Sequence, residues 1–171
     1  MDQAFIMPFV KSVKNVFETM LQMPVKVGAP GLKDENTKPL DISGIIAFSG
    51  QVEGSTVLSL PMSTAAKAVE QFLGVAIDPV EEEEDFVDAV GELINMISGS
   101  AKAQFPTEKV SISCPSVVIG AGHAVFGQKD VVTITIPCSC EAGEFRLDVS
   151  FKENSVATSA RAQSEQATAA E

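Results

Sequence analysis

Basic residues are scarce in this chain: 12 Lys and Arg stand against 23 Asp and Glu, a formal charge of -11. Nucleic-acid binding relies on clustered cations that displace the counterions of a phosphate backbone, so that partner is excluded. No stretch approaches the ~20 apolar residues needed to cross a bilayer, and Met1-Asp2-Gln3-Ala4-Phe5 has no basic region ahead of an apolar run. The expectation is a cytoplasmic protein without membrane contact. Cysteine is sparse as well: three residues, an odd number that fits reduced thiols better than a disulfide framework. His123 is the only histidine, no Gly-x-Ser-x-Gly elbow surrounds it, and Gly120-Ala121-Gly122 lacks the Lys-Ser/Thr ending of a phosphate loop. It reads as a loop residue. Cys138 and Cys140 are two apart in an alternating segment, hence on one face, and that face is apolar; core packing is expected there and no metal.

What is present is enough for one core. With 171 residues, 45% of them hydrophobic, the chain suits a single domain over 1–152, and the polar, aperiodic residues 153–171 read as a disordered tail. Pro8-Phe9-Val10-Lys11 opens a helical stripe of Phe9, Val13, Val16, Phe17, Met20 and Leu21 that ends near Met23-Pro24. Residues 28–41 read as a loop. Ile42 to Gly50 and Ser55 to Pro61 form two apolar runs joined by Gln51-Val52-Glu53-Gly54, a hairpin signal. Ser63 is placed to cap a helix from Thr64 to Leu73, and Gly74 to close it. Beyond Pro106 the pattern turns β-rich: Val110 to Gly120 holds another strand or two interrupted at Pro115, and two alternating segments meet at Glu141-Ala142-Gly143. The fold class is α/β (α+β), a mostly antiparallel sheet with an N-terminal helix and two central helices packed on one face.

The segment from Asp85 to Lys102 is the most informative. At about 100° per residue, Phe86, Val90, Leu93, Ile97 and Ala101 share one face and Asp88, Glu92, Asn95, Gly99 and Lys102 the other. The preceding acidic run, Glu81 to Asp85, opposes the positive end of the helix dipole; consecutive helix residues fan out, which disfavours a metal cluster. A carboxylate and a carboxamide thus stand one turn apart, flanked by Gly91, Ser98, Gly99 and Ala103, whose small side chains leave them open to another protein's surface. Asn in a helix interior costs several tenths of a kcal/mol against Ala, and each Gly roughly 1 kcal/mol. From the residues alone, this stripe is either a solvated face or a site built to be touched.

Asp88-x-x-x-Glu92-x-x-Asn95, the later Pro115, the Gly50-x-x-x-Gly54-Ser55-Thr56-Val57-Leu58-Ser59-Leu60 hairpin and the run Gly91-Glu92-Leu93-Ile94-Asn95-Met96-Ile97-Ser98-Gly99 together resemble the CheC/CheX/FliY family of chemotaxis phosphatases, most closely its CheX branch. The resemblance spans roughly Pro8 to Phe151. One Glu-x-x-Asn helix is present where CheC-type members carry two, and the gap to Pro115 is slightly short. The resemblance implies a CheC/CheX-like fold and hydrolysis of the aspartyl phosphate of a CheY-like response regulator. In that reading Asn95 positions the attacking water and Glu92 docks to the regulator's active-site lysine. Asp88, Gly91, Ser98, Gly99 and Lys102 make up the partner-docking surface, and Mg²⁺ sits on the regulator with no cofactor bound by this chain. It also implies a homodimer formed through sheet edges. The alternative is a non-enzymatic regulator-binding or flagellar-switch scaffold of the same fold.

Overall fold

The computed structural model describes residues 3–34, 37, 40–107, 109–125 and 131–153; the expected tail lies, from 154 on, outside them. Among the described residues, three helices and eight strands follow in the order α1 (Gln3–Met20), β1 (Lys26–Val27), β2 (Gly31–Leu32), β3 (Ile42–Gly50), β4 (Val52–Leu60), α2 (Met62–Leu73), α3 (Glu83–Lys102), β5 (Val110–Ile112), β6 (Ser116–Ile119), β7 (Thr133–Cys140) and β8 (Gly143–Glu153). All pairings are antiparallel, in the order β1-β7-β8-β4-β3-β5, with β2 also on β7 and β6 also on β3. The expected mixed architecture is borne out.

Helix α1 begins earlier than the proline predicts. Phe5 and Ile6 are buried, and Phe5 meets Phe105 edge-on at 5.2 Å between ring centroids. That extra apolar turn holds the helix together through Pro8, which can donate no backbone hydrogen bond. Phe9, Phe48, Phe105 and Phe151 complete an aromatic cluster beneath it, at 5.0 to 5.9 Å. Aromatic pairs in such edge and tilted arrangements gain about 1 kcal/mol beyond the area they bury.

The segment read as a loop, 28–41, contains the two-residue strand β2, and the equally short β1 lies just ahead of it; neither is long enough to show a period. The hairpin turn is tighter than expected. Gly50, at φ +115°, and Gln51 make the reversal, and Val52, Glu53 and Gly54 belong to β4. Gly54 is needed inside the strand because a Cβ there would collide with the Ser150 carbonyl oxygen of β8. The start of α2 also differs. Ser63 is exposed and does not cap; Pro61 holds the cap position, and the Met62 N–H is taken by Asp41 Oδ2 at 2.8 Å, 21 residues upstream. Gly74 closes the helix as expected, left-handed at φ 72°, its N–H donating to Glu70 O at 2.8 Å.

Ile42, Ile46 and Phe48 of β3 are buried on the side of the sheet that carries the helices. Gly44 shares it, and a Cβ there would lie 2.9 Å from Ile94 Cγ2 and 3.7 Å from Val90 Cγ1 of α3. The absence of that Cβ lets α3 sit directly on the strand. Helix α1 packs along α3, tied by Ser12 Oγ donating to Ser100 Oγ at 3.0 Å. Cys138 is buried in the core and Cys140 packs against it, as the alternation predicts.

Candidate functional site

Helix α3 is gripped from below and stays open above. Phe86, Ala89, Val90, Leu93, Ile94, Ile97 and Ala101 are buried against α1, α2 and the sheet, fixing the helix's rotation. Glu83, Glu84 and Asp85 occupy its first turn and Lys102 its last, both signs complementing the helix dipole. On the outward side Asp88 and Glu92 are exposed, and Asn95, Gly99 and Lys102 are half-buried. The Asn95 amide Nδ2 donates to Glu92 Oε2 at 3.4 Å, a long and weak contact that aligns the two groups without locking them. Asn95 Oδ1 remains an acceptor in this arrangement.

Two residues expected on the docking surface are turned inward. Gly91 is buried, and a Cβ on it would meet Pro115 Cγ at 3.4 Å and Val117 Cγ2 at 3.6 Å. Ser98 is 0% exposed, and its Oγ has no hydrogen-bond partner among the described residues. The reason is angular: they lie about 100° and 120° round the helix from Glu92. Gly91 therefore serves packing, and Pro115 is the residue that lies on it. Gly99 is different, because no atom of the described residues lies within 4 Å of its Cβ position; it leaves open space beside Asn95.

A groove of about 450 Å³ runs from this stripe toward the connection between α2 and α3, lined by Leu73, Val75 and Ile77 on one side and Asp85, Asp88 and Glu92 on the other. The connection is ordered by Asp78, whose Oδ1 accepts from the N–H groups of Val80 at 2.8 Å and Glu81 at 3.1 Å. These backbone bonds hold the Asp78 carboxyl below the usual carboxylate range.

A larger cavity, about 620 Å³, lies on the opposite face of the sheet, away from the helices. Its polar groups are committed to one another. Asp148, 3% exposed, binds Lys33 Nζ at 2.8 Å and accepts from Thr135 Oγ1 at 2.7 Å. His123 Nδ1 lies 2.6 Å from Gly120 O, which can only accept, so in the neutral ring Nε2 accepts from Ser43 Oγ at 2.9 Å. Ser43 in turn shares a 3.0 Å contact with buried Ser59. This is a serine–histidine pair whose third partner is a carbonyl rather than a carboxylate, on a serine 2% exposed. It fastens a loop to the sheet. Sequence reading missed both this tie and the Lys33–Asp148 pair, since outward-facing polar residues on a strand look solvated until the covering loop is known. Among the described residues, no three His, Cys, Asp or Glu come together as a metal site.

The family described as chemotaxis phosphatase CheX matches residues 42–139. CheY-P phosphatase CheX from Thermotoga maritima is 29% identical over 157 residues, 89% of this chain and 98% of that protein. The crystal structure of the chemotaxis protein CheX from Desulfovibrio desulfuricans superposes with a TM-score of 0.79 at 31% identity, covering 86% of this chain and 99% of the other. A CheX–CheY complex with BeF3 and Mg²⁺ from Borrelia burgdorferi shares the fold, with a TM-score of 0.75 at 22% identity over 87% of this chain and 98% of that one.

Proposed function

Because the chain belongs to the CheX family of chemotaxis phosphatases, we propose that it hydrolyses the aspartyl phosphate of a CheY-like response regulator, using Asn95 and Glu92. The observation that carries this reading is the pairing of an exposed carboxylate with a carboxamide on a helix whose other faces are packed. The relative from Thermotoga maritima is named for the same reaction, and the one from Borrelia burgdorferi was solved with CheY.

Water attacks phosphorus while the bond to the aspartyl oxygen breaks, giving inorganic phosphate and a free carboxylate. An acyl phosphate is already reactive, so placing the water in line supplies the missing step. Asn95 Oδ1 accepts a hydrogen bond from that water and so aims its oxygen at phosphorus. A carboxamide suits this position because it stays neutral beside a phosphate dianion. Glu92 lies one turn away, where it meets the regulator's active-site lysine, exchanging its long contact with Asn95 for a charge-assisted one. Mg²⁺ on the regulator neutralises the phosphoryl oxygens. Asp88, Gly99 and Lys102 border the docked partner, and Gly91 and Ser98 support the helix beneath it.

The same reading includes a cytoplasmic homodimer paired through sheet edges. Strand β6 supports it, as an edge on which Val118 and Ile119 are each 37% exposed. Sedimentation velocity of the full chain tests this; a monomer at all concentrations rejects the dimer.

The test of function is a dephosphorylation screen over the CheY-like regulators of the source genome. At least one is expected to lose phosphate faster with the protein than alone. Unchanged decay across the panel rejects hydrolysis, and tight binding without accelerated decay assigns a scaffold role instead.

A further inference from the structure

The groove beside α3 is walled by apolar side chains held in water by an ordered turn. Val75 is 61% exposed and Leu73 41%, although Ile77, between them and the Asp78 turn, is anchored at 8%. The Asp78 N–H donates to Glu82 Oε2 at 2.9 Å, and Asp78 Oδ1 accepts from Val80 and Glu81, so the wall is fixed before anything touches it. Rigid apolar groups beside a recess are the usual makings of a docking anchor, since little conformational freedom is lost on contact. The facing wall carries Asp85, Asp88 and Glu92, and among the described residues no Lys or Arg lines the groove.

We infer that this groove receives a segment of the response regulator that presents an apolar side chain next to lysine or arginine. The inference rests on the phosphatase reading and adds to it the surface that selects the regulator. Two observations identify the occupant. Charge is one: a recess bordered by carboxylates, in a chain of net charge -11, favours a cationic partner. Continuity is the other, because Glu92 belongs both to the groove and to the catalytic pair. Asp85 is about 10 Å from Glu92 along the helix axis. A protein interface covers about 800 Å² per partner, a disc roughly 16 Å in radius. A regulator seated on Asn95 therefore reaches the groove.

The experiment measures binding of each beryllofluoride-loaded CheY-like regulator to the full-length protein and to Val75→Asp, Leu73→Ser/Val75→Ser and Asp85→Lys, with steady-state dephosphorylation alongside. All three side chains replaced, Leu73, Val75 and Asp85, are exposed, and thermal melts confirm the fold. The expected result is a tenfold or greater rise in Kd and KM for Val75→Asp and Asp85→Lys, with kcat at saturation unchanged and a weaker salt dependence for Asp85→Lys. Unchanged Kd in all variants, with wild-type hydrolysis intact, overturns the groove and leaves the phosphatase reading standing. Wild-type binding without hydrolysis, weakened by the same variants, overturns the phosphatase reading and keeps the groove. If no regulator binds wild type, both fall.

Discussion

Asn95 donates its amide to Glu92 at 3.4 Å across one turn of α3, so the two side chains of the motif orient each other before any partner arrives. Their roles separate under mutation. Asn95→Ala is expected to lower kcat for regulator dephosphorylation by about 100-fold or more, the cost of losing alignment of the nucleophile, while the beryllofluoride-loaded regulator still binds. Asn95→Asp fails as well, because a second carboxylate repels both Glu92 and the phosphate. Glu92→Ala acts mainly through KM. Equal decay rates with wild type and Asn95→Ala remove the claim.

Gly99 faces open space, and its two kinds of substitution have opposite consequences. Gly99→Ala raises helix stability by up to about 1 kcal/mol. Gly99→Leu keeps the fold but stands where a docked protein must come close. Its kcat/KM is expected to fall roughly tenfold or more, equivalent to about 1.4 kcal/mol of docking energy. Melting curves and steady-state kinetics on the same preparations separate the two effects.

Ser98 is a buried hydroxyl with no partner among the described residues. Replacing it by Ala removes an unsatisfied group at nearly constant volume and improves helix propensity, a gain of about 1 kcal/mol. Urea denaturation reads this directly; a lower midpoint for Ser98→Ala rejects the account.

Burial, with a smaller contribution from Cys140, pushes the Cys138 thiol up from 9.0 to about 12. Between those values the unfolded chain releases this proton and the folded chain keeps it, so stability falls as pH rises through that window. At neutral pH the thiol is protonated in both states and contributes nothing to the pH dependence. Cys138→Ala is expected to flatten the alkaline limb of a urea-midpoint profile. An identical slope in both proteins contradicts the prediction.

What could be read from the residues follows the range of the forces involved. Helix α3 declares itself because its apolar and polar faces repeat over five turns, and Glu92 and Asn95 fall on the open side as the periodicity requires. The β7–β8 hairpin is equally plain, through strict alternation around a two-residue turn. Long-range substitutions for local signals are invisible in the same way everywhere. Ser63 looks like a cap, but Asp41 arrives from across the fold to do that work. Gly54 looks like a turn residue, yet it is a strand residue excluded from having a side chain by Ser150. Gly91 and Ser98 look like open flank until Pro115 and the sheet are in place.

Gly44 bears on Glu92 and Asn95 without touching either. Because its bare Cα lets Ile94 settle against the strand, and Ile94 stands between Glu92 and Asn95 in the chain, this position is one of those that set how far α3 is rolled about its own axis. A single methyl there would meet Ile94 from beneath and tilt the helix. The aim of Glu92 and Asn95 would then shift together, so a search confined to the open face of α3 would overlook Gly44.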